Sequence, residues 1–385
     1  MKKTVVEALA MNRDAYGPEY LIEVSDPQLG MRGFLVLDNL ALGTGKGGIR
    51  MTSEVSLEEV ARLARTMTWK NSLAGLPFGG AKGGIVWNGG SDELKKKFVQ
   101  SYARRIAFFT PTKYVAGPDV NTGEREMQWF VEATGKWRSA TGKPSNACMQ
   151  LFGKKGEKCG IPHEFGSTGF GVAHATKVVL ELLGMNLKDT TVAIEGFGNV
   201  GSFAYKVLTE MGARVVAVSD KGGSIYSEKG FDFEALWVIA QRRGSVQEYP
   251  GAQKLSHDDI FSLPVDVLIP ASVTDVISEK NKDGIQAKII VEAANIPMQE
   301  SVENELFERG ILIVPDFVAN AGGVISSYAE YRGYNPKRMF ETVERKITQA
   351  TRRVMKTSLK KKKNPRVVAM ELAQERVEER MSKKS

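Results

Sequence analysis

The spacing of hydrophobic and polar positions changes along this chain, and the changes mark out its elements. Stretches 20–24 and 33–40 carry the β-branched and aromatic residues that suit a pleated surface, and they read as strands. From Ser56 the period becomes helical. Val60, Leu63, Ala64 and Met67 recur at three- and four-residue spacing behind an S-L-E-E capping box formed by Ser56 and Glu59. A second helix is predicted over 91–109, opened by Ser91-Asp92-Glu93, with Leu94, Phe98, Tyr102 and Ile106 on one stripe. Residues 141–166 lose all periodicity and are dominated by Gly, Lys and Pro, as in a long loop or an interdomain connection.

From Thr190 strands and helices alternate. T-V-A-I-E reads as a buried strand, G-F-G-N-V-G follows it, a helix is predicted over 202–211, and a second strand over 214–219 ends at Asp220. Strand, Gly196-x-Gly198-x-x-Gly201, helix, strand and acid form the dinucleotide fingerprint in its required context. The loop Gly196, Gly198, Asn199, Val200, Gly201 would then approach a pyrophosphate at a helix N-terminus. Asp220 would accept from a ribose 2′-hydroxyl, which favours NAD, while Lys221 beside it leaves NADP open.

The alternation continues through D-V-L-I-P-A, K-I-I-V-E-A-A-N and I-L-I-V-P-D-F, with helices predicted over 231–243 and 299–309. Asn320, in V-A-N-A-G-G-V, falls beyond a strand's carboxyl end, where such sheets bind ligands; a helix cap is the plainer role for it. Amphipathic stretches at 336–355 and 367–381 close the chain and are expected to pack back on its first half. The fold class is therefore α/β with two domains: an N-terminal α/β domain for substrate and oligomerisation, 1–164 plus 344–385, and a Rossmann-type doubly wound domain, 165–343.

Composition narrows the class of protein. At 385 residues, 42% hydrophobic and 25% charged, the chain is globular and exceeds one ordinary core. No apolar run reaches membrane-spanning length, and Glu7 interrupts the start where a signal peptide would stay apolar, so a cytoplasmic protein is expected. The two cysteines, Cys148 and Cys159, fit a reducing compartment and read as free thiols; with His163 they match no standard zinc spacing, so no metal is expected. The net charge of +8 lies wholly beyond residue 350, where twelve Lys and Arg face four Glu. That tail lacks aromatic interleaving and a recognition motif, so a solvated helical tail is expected and no nucleic-acid partner.

Candidate chemistry concentrates between Trp69 and Gly84, W-K-N-S-L-A-G-L-P-F-G-G-A-K-G-G, where Lys70 and Lys82 sit among small residues. A lysine acting as a base near neutral pH needs burial and a nearby positive group to lower its pKa. Lys46 is likewise framed by glycines, and Asp119 is presented on the turn A-G-P-D-V-N-T. A carboxylate there serves as a cap or turn former as readily as an acid.

K-G-G-I-R at Lys46, M-T-W-K-N at Lys70, P-F-G-G-A-K-G-G at Lys82, A-G-P-D-V-N-T at Asp119, T-G-F-G at Thr168, G-F-G-N-V-G and N-A-G-G-V at Asn320 occur in order through nearly the whole chain. With these motifs the sequence resembles the glutamate/leucine/phenylalanine/valine dehydrogenases, and within them most nearly the glutamate enzymes. The resemblance implies that Lys70 holds the substrate α-carboxylate, Lys82 activates the water that attacks an iminium carbon, and Asp119 shuttles protons to the amino group. It implies that Lys46 and Ser327 bind a side-chain carboxylate, and that Thr168 and Asn320 hold the nicotinamide amide.

The implied reaction is reversible oxidative deamination of L-glutamate to 2-oxoglutarate and ammonium with NAD(P), by a homo-oligomer, a hexamer being favoured. The alternatives are a branched-chain or aromatic amino-acid dehydrogenase, in which an apolar residue would replace Lys46, or a catalytically weak regulatory paralogue. The chain departs from the pattern at Glu164, where the resemblance leads one to expect arginine, and in a somewhat short segment ahead of Lys46.

Overall fold

The computed structural model describes residues 13–147, 159–162 and 165–383. Cys148, His163 and Glu164 lie outside the described residues. The chain folds as two units, one made of Met1–His163, Ser326–Met339 and Ala373–Ser385, the other of Glu164–Ile325 and Phe340–Leu372.

In the first unit, β1 (Tyr20–Asp26), β2 (Met31–Asn39), β3 (Gly45–Lys46), β4 (Ile49–Thr52), β5 (Gly79–Val86) and β6 (Tyr114–Val115) build one mixed sheet. Its order is β1-β2-β5-β3-β6, with β4 also paired to β5. The outer pairs β1–β2 and β2–β5 are antiparallel, and β3 runs parallel to both β5 and β6. The near-continuous apolar run of β2 follows from burial on both faces. Phe34 and Val36 face Val60 and Ala64 of helix α1 (Leu57–Leu73). Leu35 and Leu37 join Phe98, Tyr102 and Phe130, carried by α2 (Asp92–Arg105) and α3 (Glu124–Thr134). Each such side chain contributes about 2 kcal/mol on burial.

Two local expectations are revised. Ser56 caps α1 by accepting from Glu59 N at 3.2 Å, but the Glu59 carboxylate goes to Arg50 at 2.6 Å instead of closing the box. An ion pair across to a neighbouring strand has displaced the local bond. The helix predicted over 91–109 ends at Arg105, because Phe109 and Thr110 close successive turns onto Ile106 and Ala107. Pro111 follows and disfavours helical backbone at the residue before it.

The second unit opens with α4 (Ser167–Leu182) and continues through β7 (Thr191–Glu195), α5 (Asn199–Glu210), β8 (Arg214–Asp220), β9 (Gly223–Tyr226), α6 (Phe233–Gln241), β10 (Gln253–Leu255) and β11 (Val267–Pro270). It closes its sheet with β12 (Ile289–Val291), α7 (Glu300–Glu308) and β13 (Leu312–Val314), and α8 (Asp316–Ala319) follows. The strand order is β10-β9-β8-β7-β11-β12-β13. The five strands from β8 to β13 in that order pair in parallel, and β9 and β10 add an antiparallel edge. The order reverses at β7, with β8 on one side and β11 on the other, which defines the switch point at which such sheets bind ligands. α5 begins at Asn199, three residues earlier than the hydrophobic pattern predicts, so most of the glycine loop is the helix's first turn.

Three helices finish the chain: α9 (Gly322–Arg332), α10 (Pro336–Lys361) and α11 (Pro365–Ser382). The tail divides differently from the expected 344–385 block. Residues 340–372 belong to the second unit, where Arg352 pairs with Glu181 at 2.7 Å, Phe340 packs on Phe170, and Arg366 lies among Glu292, Glu303 and Asp316. Of that block only Ala373–Ser385 joins the first unit, where Arg376 donates to the Ser72 and Leu76 carbonyls at the end of α1. Charge decides the division, since buried carboxylates and open helix carbonyls each capture an arginine. These arginines of the basic tail are thus bonded within the fold. Cys159 is disulfide-bonded rather than a free thiol.

Candidate active site

In the first unit the glycines around Lys46 and Lys82 let backbones and helices approach closely. A Cβ on Gly47 would lie 1.6 Å from the Ala81 carbonyl, and one on Gly80 would lie 2.0 Å from Thr68 Oγ1 of α1. α1 therefore packs directly on β5, the strand that carries Lys82. Lys70 sits half-buried in the last turn of that helix.

Lys82 is buried, and its Nζ lies 3.0 Å from Asp119 Oδ2. The same oxygen takes Arg50 Nε at 3.0 Å, and Arg50 reaches on to Glu59. Burial pushes the Lys82 ammonium below its ordinary value against the pull of Asp119. For Asp119, burial works upward, but the Lys82 and Arg50 charges outweigh it and hold the carboxyl below the usual range. Asp119 is also a turn former, its backbone N–H donating to Thr122 Oγ1 at 2.9 Å.

Lys46 is 3% exposed on β3, in register with Gly80, and its Nζ donates to the Ala116 carbonyl at 2.9 Å. Burial brings its pKa down to about 7, with Glu330 opposing and Lys143 and Lys82 assisting. Gly117 makes room for this ammonium, since a Cβ there would lie 2.5 Å from Lys46 Nζ. Ser327 is half-buried on α9, one turn before the buried Glu330. That part of α9 is anchored by Tyr328 and Tyr331, both edge-on to Phe78 beside β5.

In the second unit the fingerprint glycines divide their work. Gly196 has φ +96, and a Cβ on Gly201 would lie 1.9 Å from the Gly196 carbonyl, so both are required by the loop itself. A Cβ on Gly198, the N-cap of α5, would stand in open space beside the first turn that carries Asn199, Val200 and Gly201. A pyrophosphate fits such a cradle. Asp220 ends β8 with Oδ1 accepting from Gly222 N and Ser245 Oγ, both at 2.8 Å, and Oδ2 from Val246 N at 2.6 Å. The carboxylate is thus held in place, with acceptor capacity left for a ribose hydroxyl.

Asn320 is 5% exposed after α8, and its Nδ2 donates towards Ala293 O, Ala294 O and Asn295 Oδ1 at 3.0–3.3 Å, tying it to the chain beyond β12. Thr168 lies in the first turn of α4, and a Cβ on Gly322 would meet Ser167 O at 2.1 Å and Thr168 Cα at 2.9 Å. The segments bearing Thr168 and Asn320 therefore touch.

Several charged groups escaped the pattern reading. Arg50 stands in the K-G-G-I-R motif yet drew no role. The Lys143–Glu330 pair, at 2.5 Å and almost wholly buried, lay hidden in a loop and an otherwise unremarked helix. Helical spacing from Ser327 would have pointed to Glu330. Glu195, fully buried at the end of β7, has His257 Nε2 at 3.4 Å. Among the described residues no group of His, Cys, Asp and Glu is placed to hold a metal ion, and no helix is long and apolar enough to cross a membrane.

A Rossmann-type sheet with this glycine loop in one unit and a buried lysine–carboxylate pair in the other define an oxidoreductase of the dinucleotide-dependent dehydrogenase class. The profile of the Glutamate/Leucine/Phenylalanine/Valine dehydrogenases matches residues 159–385, and that of their dimerisation domain matches 18–136. The chain belongs to this family. It is 40% identical over 299 residues to a glutamate dehydrogenase of Aeropyrum pernix, covering 76% of this chain and 70% of that one. It is 37% identical over 333 residues to an NADP-specific glutamate dehydrogenase of Saccharolobus shibatae, covering 85% and 77%. Its structure is similar to that of the hetero-hexameric glutamate dehydrogenase of Thermus thermophilus, with a TM-score of 0.81 at 26% identity over 96% of this chain and 90% of that one.

Proposed function

We propose that this protein catalyses the reversible oxidative deamination of L-glutamate to 2-oxoglutarate and ammonium with a nicotinamide dinucleotide. The observation that carries the substrate is the buried Lys46 ammonium. Among the described residues no carboxylate lies within ion-pair distance of it, so a substrate's side-chain carboxylate would supply the missing counter-charge. Ser327 adds a hydroxyl from α9, and Lys70 meets the α-carboxylate as a point charge at the end of α1.

When bound, the nicotinamide accepts the hydride from the substrate Cα. Lys82, made less basic by burial, takes a proton from the water that adds to the resulting iminium carbon. Asp119, kept ionised by Lys82 and Arg50, then carries protons to and from the amino group. Gly196, Gly198, Asn199, Val200 and Gly201 would hold the pyrophosphate, and Thr168 and Asn320 the nicotinamide amide. The anchored Asp220 favours NAD, because a 2′-phosphate would meet its charge. A cytoplasmic homo-oligomer, with a hexamer favoured, accompanies this reading.

The test is a panel of glutamate, leucine and phenylalanine against NAD and NADP, with Lys82→Ala as the inactive control. Turnover of glutamate is expected, with NAD preferred, and Lys46→Leu should move preference towards leucine. Reduction of either nucleotide with leucine or phenylalanine but not glutamate refutes the substrate. Nucleotide binding without turnover of any amino acid refutes the activity.

A further inference from the structure

The first unit buries more lysines than its ion pairs account for. Lys82 has Asp119 and Lys143 has Glu330, while among the described residues Lys46 has a carbonyl, Ala116 O, as its one hydrogen-bond acceptor. That carbonyl is not independent of Glu330. It also accepts Thr141 N at 3.0 Å and lies 3.5 Å from Thr141 Oγ1. The next residue, Gly142, donates its N–H to Glu330 Oε2 at 2.7 Å, and Ile161 N adds a second donor at 3.0 Å. Lys143, one residue further, pairs with Glu330 Oε1, donates to Ala140 O and lies 4.3 Å over the Trp137 ring. One carboxylate on α9 thereby clamps the segment 140–143, whose Thr141 shares with Lys46 the carbonyl that aims its ammonium.

We propose that Glu330 is a positioning residue for substrate recognition: it holds the 140–143 segment that aims the Lys46 ammonium, and it places a negative charge on the helix that carries Ser327. Among the described residues, Glu330 from α9 favours the Lys46 proton, while Lys143 from the clamped segment and Lys82 from β5 oppose it. Glu330 itself faces Lys143 and two backbone donors. Charge-assisted hydrogen bonds of this kind are the strong ones, and a charge in a dry interior acts with little screening. Glu330 also lies one turn beyond Ser327 on α9, so the helix that offers the substrate a hydroxyl carries the counter-charge as well. The role rests on Lys46 as the residue that meets the substrate's side-chain carboxylate.

The experiment compares the full-length wild type with Glu330→Gln and Glu330→Asp. KM and kcat are measured for glutamate and for norvaline, which has no side-chain carboxylate, from pH 6 to pH 9. In parallel the Lys46 ammonium is titrated by NMR on selectively labelled lysine, assigned with Lys46→Met. Glu330→Gln keeps an acceptor for Gly142 and Ile161 but removes the charge.

Its Lys46 titration is expected to fall by about one unit, and its glutamate KM to exceed the wild-type value by about tenfold at pH 8 and by less at pH 6. Its norvaline KM and kcat should stay within about threefold of wild type, and Glu330→Asp should recover part of the effect. An unmoved Lys46 titration overturns the proposal, as does an equal loss with both substrates at every pH. If the wild type fails to turn over glutamate, the proposed function falls, while the Lys46 titration still decides the role of Glu330.

Discussion

The Lys82 ammonium faces the Asp119 carboxylate at 3.0 Å, one held on a central strand and the other on a turn, with Arg50 completing the charge balance. Burial alone would leave Lys82 a much weaker acid-base partner for its proton, and Asp119 restrains that fall. The two residues thus tune each other across a gap that only folding closes.

Replacing Asp119 with Asn removes both the restraint and the proposed proton carrier. The expected result is a fall in kcat for glutamate of about 10²–10⁴-fold. The acid limb of the kcat profile should move to lower pH, because Lys82 then loses its proton more readily. Steady-state kinetics from pH 6 to pH 10 would show it; a kcat within threefold of wild type would rule out Asp119 as the proton carrier.

Lys46, the proposed substrate contact, also leaves a mark on stability. Its folded pKa of about 7 lies below its ordinary 10.5, so between those values the unfolded chain binds the extra proton. Stability linked to this group therefore rises with pH through that window, and its full cost is felt below pH 7. Lys46→Met should raise Tm at pH 6 by about 2–4 °C or more, with the gain fading towards pH 10. Calorimetry at the two pH values checks the sign.

Two glycines near Lys46 should respond differently to alanine. Gly47→Ala places a methyl 1.6 Å from a backbone carbonyl, which cannot step aside, and should cost about 3 kcal/mol or more of stability. Gly117→Ala meets only the mobile end of Lys46, at 2.5 Å. It should fold with little change in denaturation midpoint yet raise the glutamate KM by about tenfold, as displacing a charged partner does. Equal destabilisation by both changes would contradict this distinction.

Arg366 stands against three carboxylates of the second unit, Glu292, Glu303 and Asp316, and Asp316 opens the short helix that Asn320 follows. Burial raises the carboxyls of Glu292 and Glu303 above their ordinary values, Arg366 pulling the other way. Arg366→Met should cost about 3–5 kcal/mol at neutral pH. The loss should shrink at pH 5, where Glu292 and Glu303 accept protons. Urea titrations at pH 5 and pH 8 measure it, and a pH-independent loss would mean that packing rather than charge is at stake.

Much of the site was legible because it is written in local sequence. Gly196, Gly198 and Gly201 follow a strand directly, and their spacing reflects turn geometry that neighbouring residues impose. The glycine framing of Lys46 and Lys82 was legible for a similar reason, since close backbone approach demands it. The Lys143–Glu330 and Lys82–Asp119 pairs were not legible as pairs, because each joins elements distant in the chain. The capping box at Ser56 misled in its second half, since Glu59 had a stronger partner in Arg50 than any local backbone group.

By itself the sequence determined the α/β class, the glycine loop after β7, the covered strands and the residue types proposed to carry the chemistry. Periodicity and turn geometry are short-range, and the chain encodes them residue by residue. Only the tertiary structure decided which charges are compensated: that among the described residues Lys82 and Lys143 have carboxylates while Lys46 does not, and that residues 340–372 belong to the second unit. Burial and ion pairing depend on what else occupies the same few ångströms, and that is settled only when distant segments meet.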